Sequence, residues 1–342
     1  MSPLLLIFIT ALVFALSATP LARQIALRIG LIDQPSARKF HTRPIPVLGG
    51  LAIYGAFVIA LILFADRFYI PQLIGIIVGA TWMSLLGIWD DRVGLHAAVK
   101  LIGQILSALI LIATGVTVIL FQNIWLDTAL ALIWIVGVTN ALNLVDNMDG
   151  LSGGIAAIAA AFFLLIAALN GQYLVSILAA ALLGAALGFL LYNFNPASIF
   201  MGDAGALFLG FVLAAVGIKL RFVNNTYVVT WMVPVLILGV PIFDTLLVVL
   251  SRLRRRAPIY RGGLDHLSHR LVARGLSPRV AVQWLYLASI ALGAIALIVM
   301  EMDIVPAYGI GIVVGAVALM ALWEFEFSKK GFDEYGIRKS AK

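Results

Sequence analysis

The sequence predicts an all-α integral membrane protein of about eleven transmembrane helices, with its functional residues on the cytoplasmic face. Three observations carry the prediction. Hydrophobic residues make up 63% of the 342 and charged residues 11%, whereas a soluble domain carries about 25% charged residues. Apolar runs of about 20 residues, enough for a helix to cross a bilayer, recur along the whole chain. Lysine and arginine fall almost entirely on one side of the alternation that these runs define.

The runs lie at roughly 3–20, 47–65, 72–89, 97–118, 127–144, 151–169, 173–191, 205–219, 228–250, 281–300 and 306–324. No basic residue precedes the first, and Arg23 and Arg28 follow it. It therefore reads as a first span with its N-terminus outside, and not as a cleavable signal peptide. In the ninth run Pro234 and Pro241 flank Gly239 and predict a kink. With this parity the inner segments 21–46, 90–100, 251–280 and 325–342 hold 5, 2, 8 and 5 basic residues, or 20 of the 23. That is the positive-inside bias, and it accounts for the net charge of +7 without a nucleic-acid partner. The whole chain 1–342 reads as one polytopic domain, with cytoplasmic loops at about 21–46, 90–96, 145–150, 192–204 and 251–280 and a tail at 325–342. The chain has no cysteine, which excludes disulfides, thiolate metal sites and a cysteine nucleophile.

Carboxylates are costly in a bilayer unless they are paired, bound to metal or at the water edge. Five of the sixteen acids fall in three short motifs at the inner ends of apolar runs. Asp90 and Asp91 end the third run. They read as a solvated cap paired with Arg92, or as a site for a metal-bound phosphate or a general base. Lys100 follows, and either anchors at the interface or binds an anionic phosphate. Asn140, Asn143, Asp146 and Asp149 recur every third residue, so each successive pair shares a helix face. Gly150, Gly153 and Gly154 come next and let backbone approach a ligand closely. Asp203, among Gly202, Ala204 and Gly205, suits a metal ligand open to substrate. Oxygen donors without cysteine favour Mg²⁺ or Mn²⁺ over zinc. His266 and His269 form an H-x-x-H pair in a basic loop where Arg261, Gly262, Gly263 and Arg270 suit anion binding; Arg252 to Arg256 read as an anchor against anionic lipid.

Taken in order, RKFHTRPIPVLGG, DDRVGLHAAVK, NALNLVDNMDGL, YNFNPASIFMGDAG and DHLSHRL resemble the signatures of the polyprenyl-phosphate N-acetylhexosamine-1-phosphate transferases. Within them the chain is similar to the WecA/TagO-like branch. The triple histidine and T-P-T-M-G-G motif of the MurNAc-pentapeptide branch are missing, and Asn147 stands where many relatives have glycine. The resemblance implies that a polyprenyl (undecaprenyl) phosphate attacks the β-phosphate of a UDP-N-acetylhexosamine, with UDP-N-acetylglucosamine the expected donor, and that UMP leaves. It implies Asp203 as metal ligand and Asp90 or Asp91 as base. It implies uridine contacts from Asn193, Phe200 and Asp149. Lys100, His266, His269 and Arg270 are then expected at the donor's phosphates and sugar, and Asn140, Asn143 and Asp146 in the polar cleft, Asp146 among the catalytic acids. The expected setting is the inner (plasma) membrane, and a homodimer is compatible with it. Competing readings are the MurNAc-pentapeptide transferase, a transporter of nucleotide-sugar or lipid-linked sugar, and a non-catalytic scaffold. The acid row at three-residue spacing argues against the scaffold.

Overall fold

The computed structural model describes residues 3–35, 43–64, 70–223, 225–260 and 262–327. The first half of the RKFHTRPIPVLGG signature, Arg67, Arg261 and the tail beyond 327 lie outside the described residues. The chain divides into two compact units, Met1–Val223 and Asn224–Lys342. The continuous hydropathy of the sequence, read as a single domain, does not mark that boundary.

The first unit runs α1 (Pro3–Ile29), β1 (Ile32–Asp33), β2 (Ile45–Pro46), α2 (Gly49–Phe64), α3 (Ile70–Val93), α4 (Ala97–Ala113), α5 (Ile124–Val145), α6 (Leu151–Leu169), α7 (Tyr173–Asn193) and α8 (Gly202–Lys219). Helices α7 and α8 are its core. They are hydrophobic on every side, the pattern of a helix surrounded by others. Helix α7 packs against α1, α6 and α2, and α8 against α3, α5 and α2. The second unit holds α9 (Tyr227–Thr230), α10 (Met232–Ile237), α11 (Gly239–Arg254), α12 (Leu267–Ala273), α13 (Pro278–Val299) and α14 (Ile304–Glu326). There α13 packs against α10, α11 and α12.

Among the described residues eight helices are long and apolar enough to cross a membrane, or nine if a bent pair counts as one span. The chain is thus an all-α, multi-pass membrane protein. Helices α2 and α4 are apolar but only 16 and 17 residues long. The kink expected around Gly239 is present: Tyr227–Ile237 and Gly239–Arg254 meet at 75°. Pro241 has no N–H to continue the preceding helix, so the chain restarts there. Two features depart from the uniformly helical reading. Strands β1 and β2 pair antiparallel, Ile32 opposite Pro46 and Asp33 opposite Ile45. The basic loop 251–280 contains α12. Two-residue strands and a seven-residue helix are too short to leave a periodic signal.

Candidate active site

The first unit brings the three acidic motifs to one end of its helices. Asp90, in the last turn of α3, accepts the Leu95 N–H through Oδ1 at 2.6 Å and the Lys100 ammonium through Oδ2 at 2.6 Å. Lys100, in the first turn of α4, also reaches Asp203 Oδ2 at 2.6 Å. Asp203, in the first turn of α8, accepts a second hydrogen bond from Asn143 Nδ2 at 2.7 Å. Residues far apart in sequence, from the ends of α3, α4, α5 and α8, therefore meet around one ammonium group.

Asp91 turns elsewhere. Its Oδ1 accepts the Asp203 N–H at 2.9 Å and its Oδ2 the Ala204 N–H at 3.3 Å. It caps α8, whose first N–H groups have no acceptor within the helix. Gly202 has φ +67°, and a Cβ there would collide with Asp91 Oδ2 and Val47 Cγ1. Glycine is required both for the backbone angle and for the closeness of the cap. Adjacent helical residues point about 100° apart, which is why the two aspartates hold different partners. The cap partner is thus the backbone of α8 and not Arg92.

The row Asn140, Asn143, Asp146, Asp149 follows one helix only through Asn143. Helix α5 stops at Val145, Asp146 is its C-cap, and Gly150 at φ +76° turns the chain into α6. Asn140 exchanges two amide hydrogen bonds with Gln104, at 2.7 and 3.1 Å. Burial, then the nearby carboxylates of Asp203, Asp91 and Asp149, push the Asp146 carboxyl well above the usual carboxylate range. Such a group suits holding a proton.

Asp149, Asn193 and Phe200 form the frame beside these acids. Asp149 Oδ2 accepts the Ala197 N–H at 2.9 Å and Asn195 Nδ2 at 3.1 Å. Asn193 is buried, accepting the Gly150 N–H and donating to the Ile199 carbonyl, both at 3.0 Å. Its amide therefore clamps two motifs together. Phe200 joins the segment before α2: its N–H donates to the Pro46 carbonyl, and its carbonyl accepts the Gly49 N–H, each at 2.9 Å. The PVLGG part of the first signature is thus the strand-like seam that holds the Asp203 loop.

The second unit places His266 and His269 at the start of α12, both buried. His266 Nδ1 lies 2.8 Å from Asp244 Oδ2. Burial above all pushes the His269 imidazole down to about 4. Arg270 donates to the Asp265 and Phe325 carbonyls, to Glu326 Oε2 and to Ser251 Oγ, at 2.7 to 2.9 Å. Those bonds give it a framework part. Arg252 corrects the lipid-anchor expectation. It is buried and makes a two-pronged pair with Asp265, at 2.8 Å for each contact, as a buried charge requires. Arg255 joins the same carboxylate and Arg254 pairs with Glu326.

Two residues escape a motif-based reading. Gln104 lies one turn beyond Lys100 on α4, and Asp244 is a lone carboxylate in the apolar stretch VPIFDTLLVV. The cost of a polar group in such a run is the signal that would have found both.

Asp90 and Asp203 already converge on one positive group, and among the described residues no three His, Cys, Asp or Glu side chains form a closed metal cage. Mg²⁺ normally takes only one or two carboxylates and completes its shell with water and substrate phosphates.

A model of glycosyl transferase family 4 matches residues 73–221, which contain all three acidic motifs. A probable undecaprenyl-phosphate N-acetylglucosaminyl 1-phosphate transferase of Bacillus subtilis is 38% identical over 289 residues, covering 82% of this chain and 80% of that protein. The chain belongs to glycosyl transferase family 4. The decaprenyl-phosphate N-acetylglucosaminephosphotransferase of Mycolicibacterium smegmatis is 33% identical over 332 residues, 85% of this chain and 81% of that one. The phospho-N-acetylmuramoyl-pentapeptide-transferase of Bacillus cytotoxicus is 33% identical over 249 residues, with 66% of this chain and 74% of that one covered. The shared family places the polar cluster at the ends of α3, α4, α5 and α8 inside the matched region.

Proposed function

We propose that the chain transfers N-acetylglucosamine 1-phosphate from UDP-N-acetylglucosamine to a polyprenyl phosphate in the membrane. One observation carries the reading: Asp90, Lys100, Asn143 and Asp203 meet at one end of the helices, with Asp91 pinning the backbone that carries Asp203. A membrane helix end is where a lipid phosphate and a water-soluble nucleotide can meet. The two N-acetylglucosamine relatives, each matched over more than four-fifths of the chain, support the donor.

The reaction joins an oxygen of the lipid phosphate to the β-phosphorus. The bond from that phosphorus to the bridging oxygen breaks, and UMP departs with the oxygen. Phosphoryl transfer depends on in-line positioning and charge neutralisation. Lys100 supplies a fixed cation for the diphosphate. Of the pair, Asp90 is the one assigned to take the proton of a lipid phosphate, because its Oδ2 faces the Lys100 ammonium in the cluster whereas both oxygens of Asp91 are held by the α8 backbone. Asp203 would hold Mg²⁺ or Mn²⁺, and the ion would neutralise charge on the transferring group. Asn143 aligns Asp203, and the Gln104–Asn140 pair stiffens the wall behind it. Asp149 and Asn193 shape the loop that presents Phe200 to a uracil ring. His266 and His269 handle the donor's sugar and phosphates.

Eleven spans, counting α2, α4 and the broken pair, with the acidic cluster facing the cytoplasm across the inner membrane, fit the basic-residue bias. The purified protein tests the reading when incubated with Mg²⁺, undecaprenyl phosphate and separate UDP-sugars, with UMP quantified. Release is expected with UDP-N-acetylglucosamine. Release only with UDP-MurNAc-pentapeptide would move the assignment to the other branch, and none with any donor would favour a transporter.

A further inference from the structure

Asp244 belongs to none of the motifs, yet it is a buried carboxylate, 3% exposed. It sits on α11 just after the break at Gly239. Its Oδ1 accepts the Leu267 N–H at 2.5 Å, and its Oδ2 lies 2.8 Å from His266 Nδ1. Leu267 opens α12, so its N–H has no acceptor within the helix. Backbone N–H can only donate. An ionised carboxylate can only accept. With the carboxylate ionised both oxygens accept, and the nitrogen facing Oδ2 carries the hydrogen.

We propose that Asp244 is a positioning residue that holds His266 with Nδ1–H toward the carboxylate, leaving Nε2 as the atom that meets the donor substrate. Among the described residues Nε2 has no hydrogen-bond partner. The hydrogen bond at one ring nitrogen decides what the other can do. With Nδ1 occupied, Nε2 can accept a hydroxyl hydrogen from the sugar. The substrate part of this inference rests on the transferase reading; the ring assignment does not.

Asp244→Asn separates position from protonation. Asparagine has nearly the same shape but one acceptor oxygen. The Leu267 N–H claims it, so the amide NH₂ faces His266 Nδ1 and drives the hydrogen to Nε2. The chain has four histidines, so ring-¹⁵N-labelled protein in detergent gives a spectrum that His266→Gln assigns by subtraction. The expected wild-type signal is Nδ1–H, changing to Nε2–H in Asp244→Asn while the thermal midpoint stays near wild type. Turnover of UDP-N-acetylglucosamine should fall about 10²-fold, the low end for a correctly protonated group. The loss should not deepen when His266→Gln is added to Asp244→Asn.

A wild-type Nε2–H spectrum overturns the proposal even if the variant fails to fold. So do losses that multiply in the double variant, the mark of two independent structural roles. A wild-type protein with the Nδ1–H spectrum that releases no UMP from any donor would count against the transferase reading while upholding the ring assignment.

Discussion

Asp90 and Asp91 are neighbours in sequence with unlike environments. Asp90 shares an ammonium with Asp203, whereas Asp91 ties down the first turn of α8. Substitution should separate them. Asp90→Asn is expected to lower kcat with little change in thermal stability. Asp91→Ala should lower stability by about 1 kcal/mol, the usual cost of a lost helix cap, and lower kcat through the misplaced Asp203. Asp91→Asn keeps one acceptor and should fall between wild type and Asp91→Ala in both. Equal melting curves for Asp91→Ala and wild type would contradict the capping role. Asp203→Asn keeps the size and removes the charge that Lys100 pairs with and that would hold a divalent cation. A loss of about 10²-fold or more in turnover is expected, the scale of removing one preorganised electrostatic group. Near-normal turnover at low Mg²⁺ would place the cation elsewhere.

At the scale of elements, α12 and the loop before it carry a pH signature. Burial holds His269 down to about 4, below the roughly 6.5 of an unfolded histidine. Between those values the unfolded chain takes up a proton that the folded chain refuses. The contribution of His269 to stability is therefore whole above about pH 6.5 and lost as the pH falls toward 4. Acid also titrates carboxylates, so the comparison must be differential. His269→Gln in detergent should lose less of its thermal midpoint between pH 6.5 and 4.5 than wild type does. Parallel losses would contradict the depressed histidine. The elements also show what the sequence could and could not reveal. The acidic motifs were legible because carboxylates at the ends of apolar runs have few inexpensive explanations. The kink at Gly239 was legible because proline acts locally. The partner of each group was not. Asp91 to the α8 backbone, Asn140 to Gln104 and Arg252 to Asp265 depend on how helices pack, and spacing along one helix is silent about that. The row of four polar residues misled for the same reason: its period continues past Val145 although the helix does not.

For the whole molecule, the basic bias predicts that the loop after α11 faces the cytoplasm. Tyr260 is 70% exposed in that loop, and the chain has no cysteine of its own. Tyr260→Cys should react with a membrane-impermeant maleimide only after the inner face is opened. Labelling in intact cells would reverse the topology. The central claim concerns which bond breaks, and the fate of one phosphorus atom tests it most directly. UDP-N-acetylglucosamine carrying ³²P in the β-position is incubated with the purified protein, Mg²⁺ and undecaprenyl phosphate, and the lipid is extracted. Transfer of the sugar phosphate predicts that the label enters the lipid fraction in step with unlabelled UMP released to water. Label remaining in the aqueous phase as UDP, with the sugar alone on the lipid, would contradict the account.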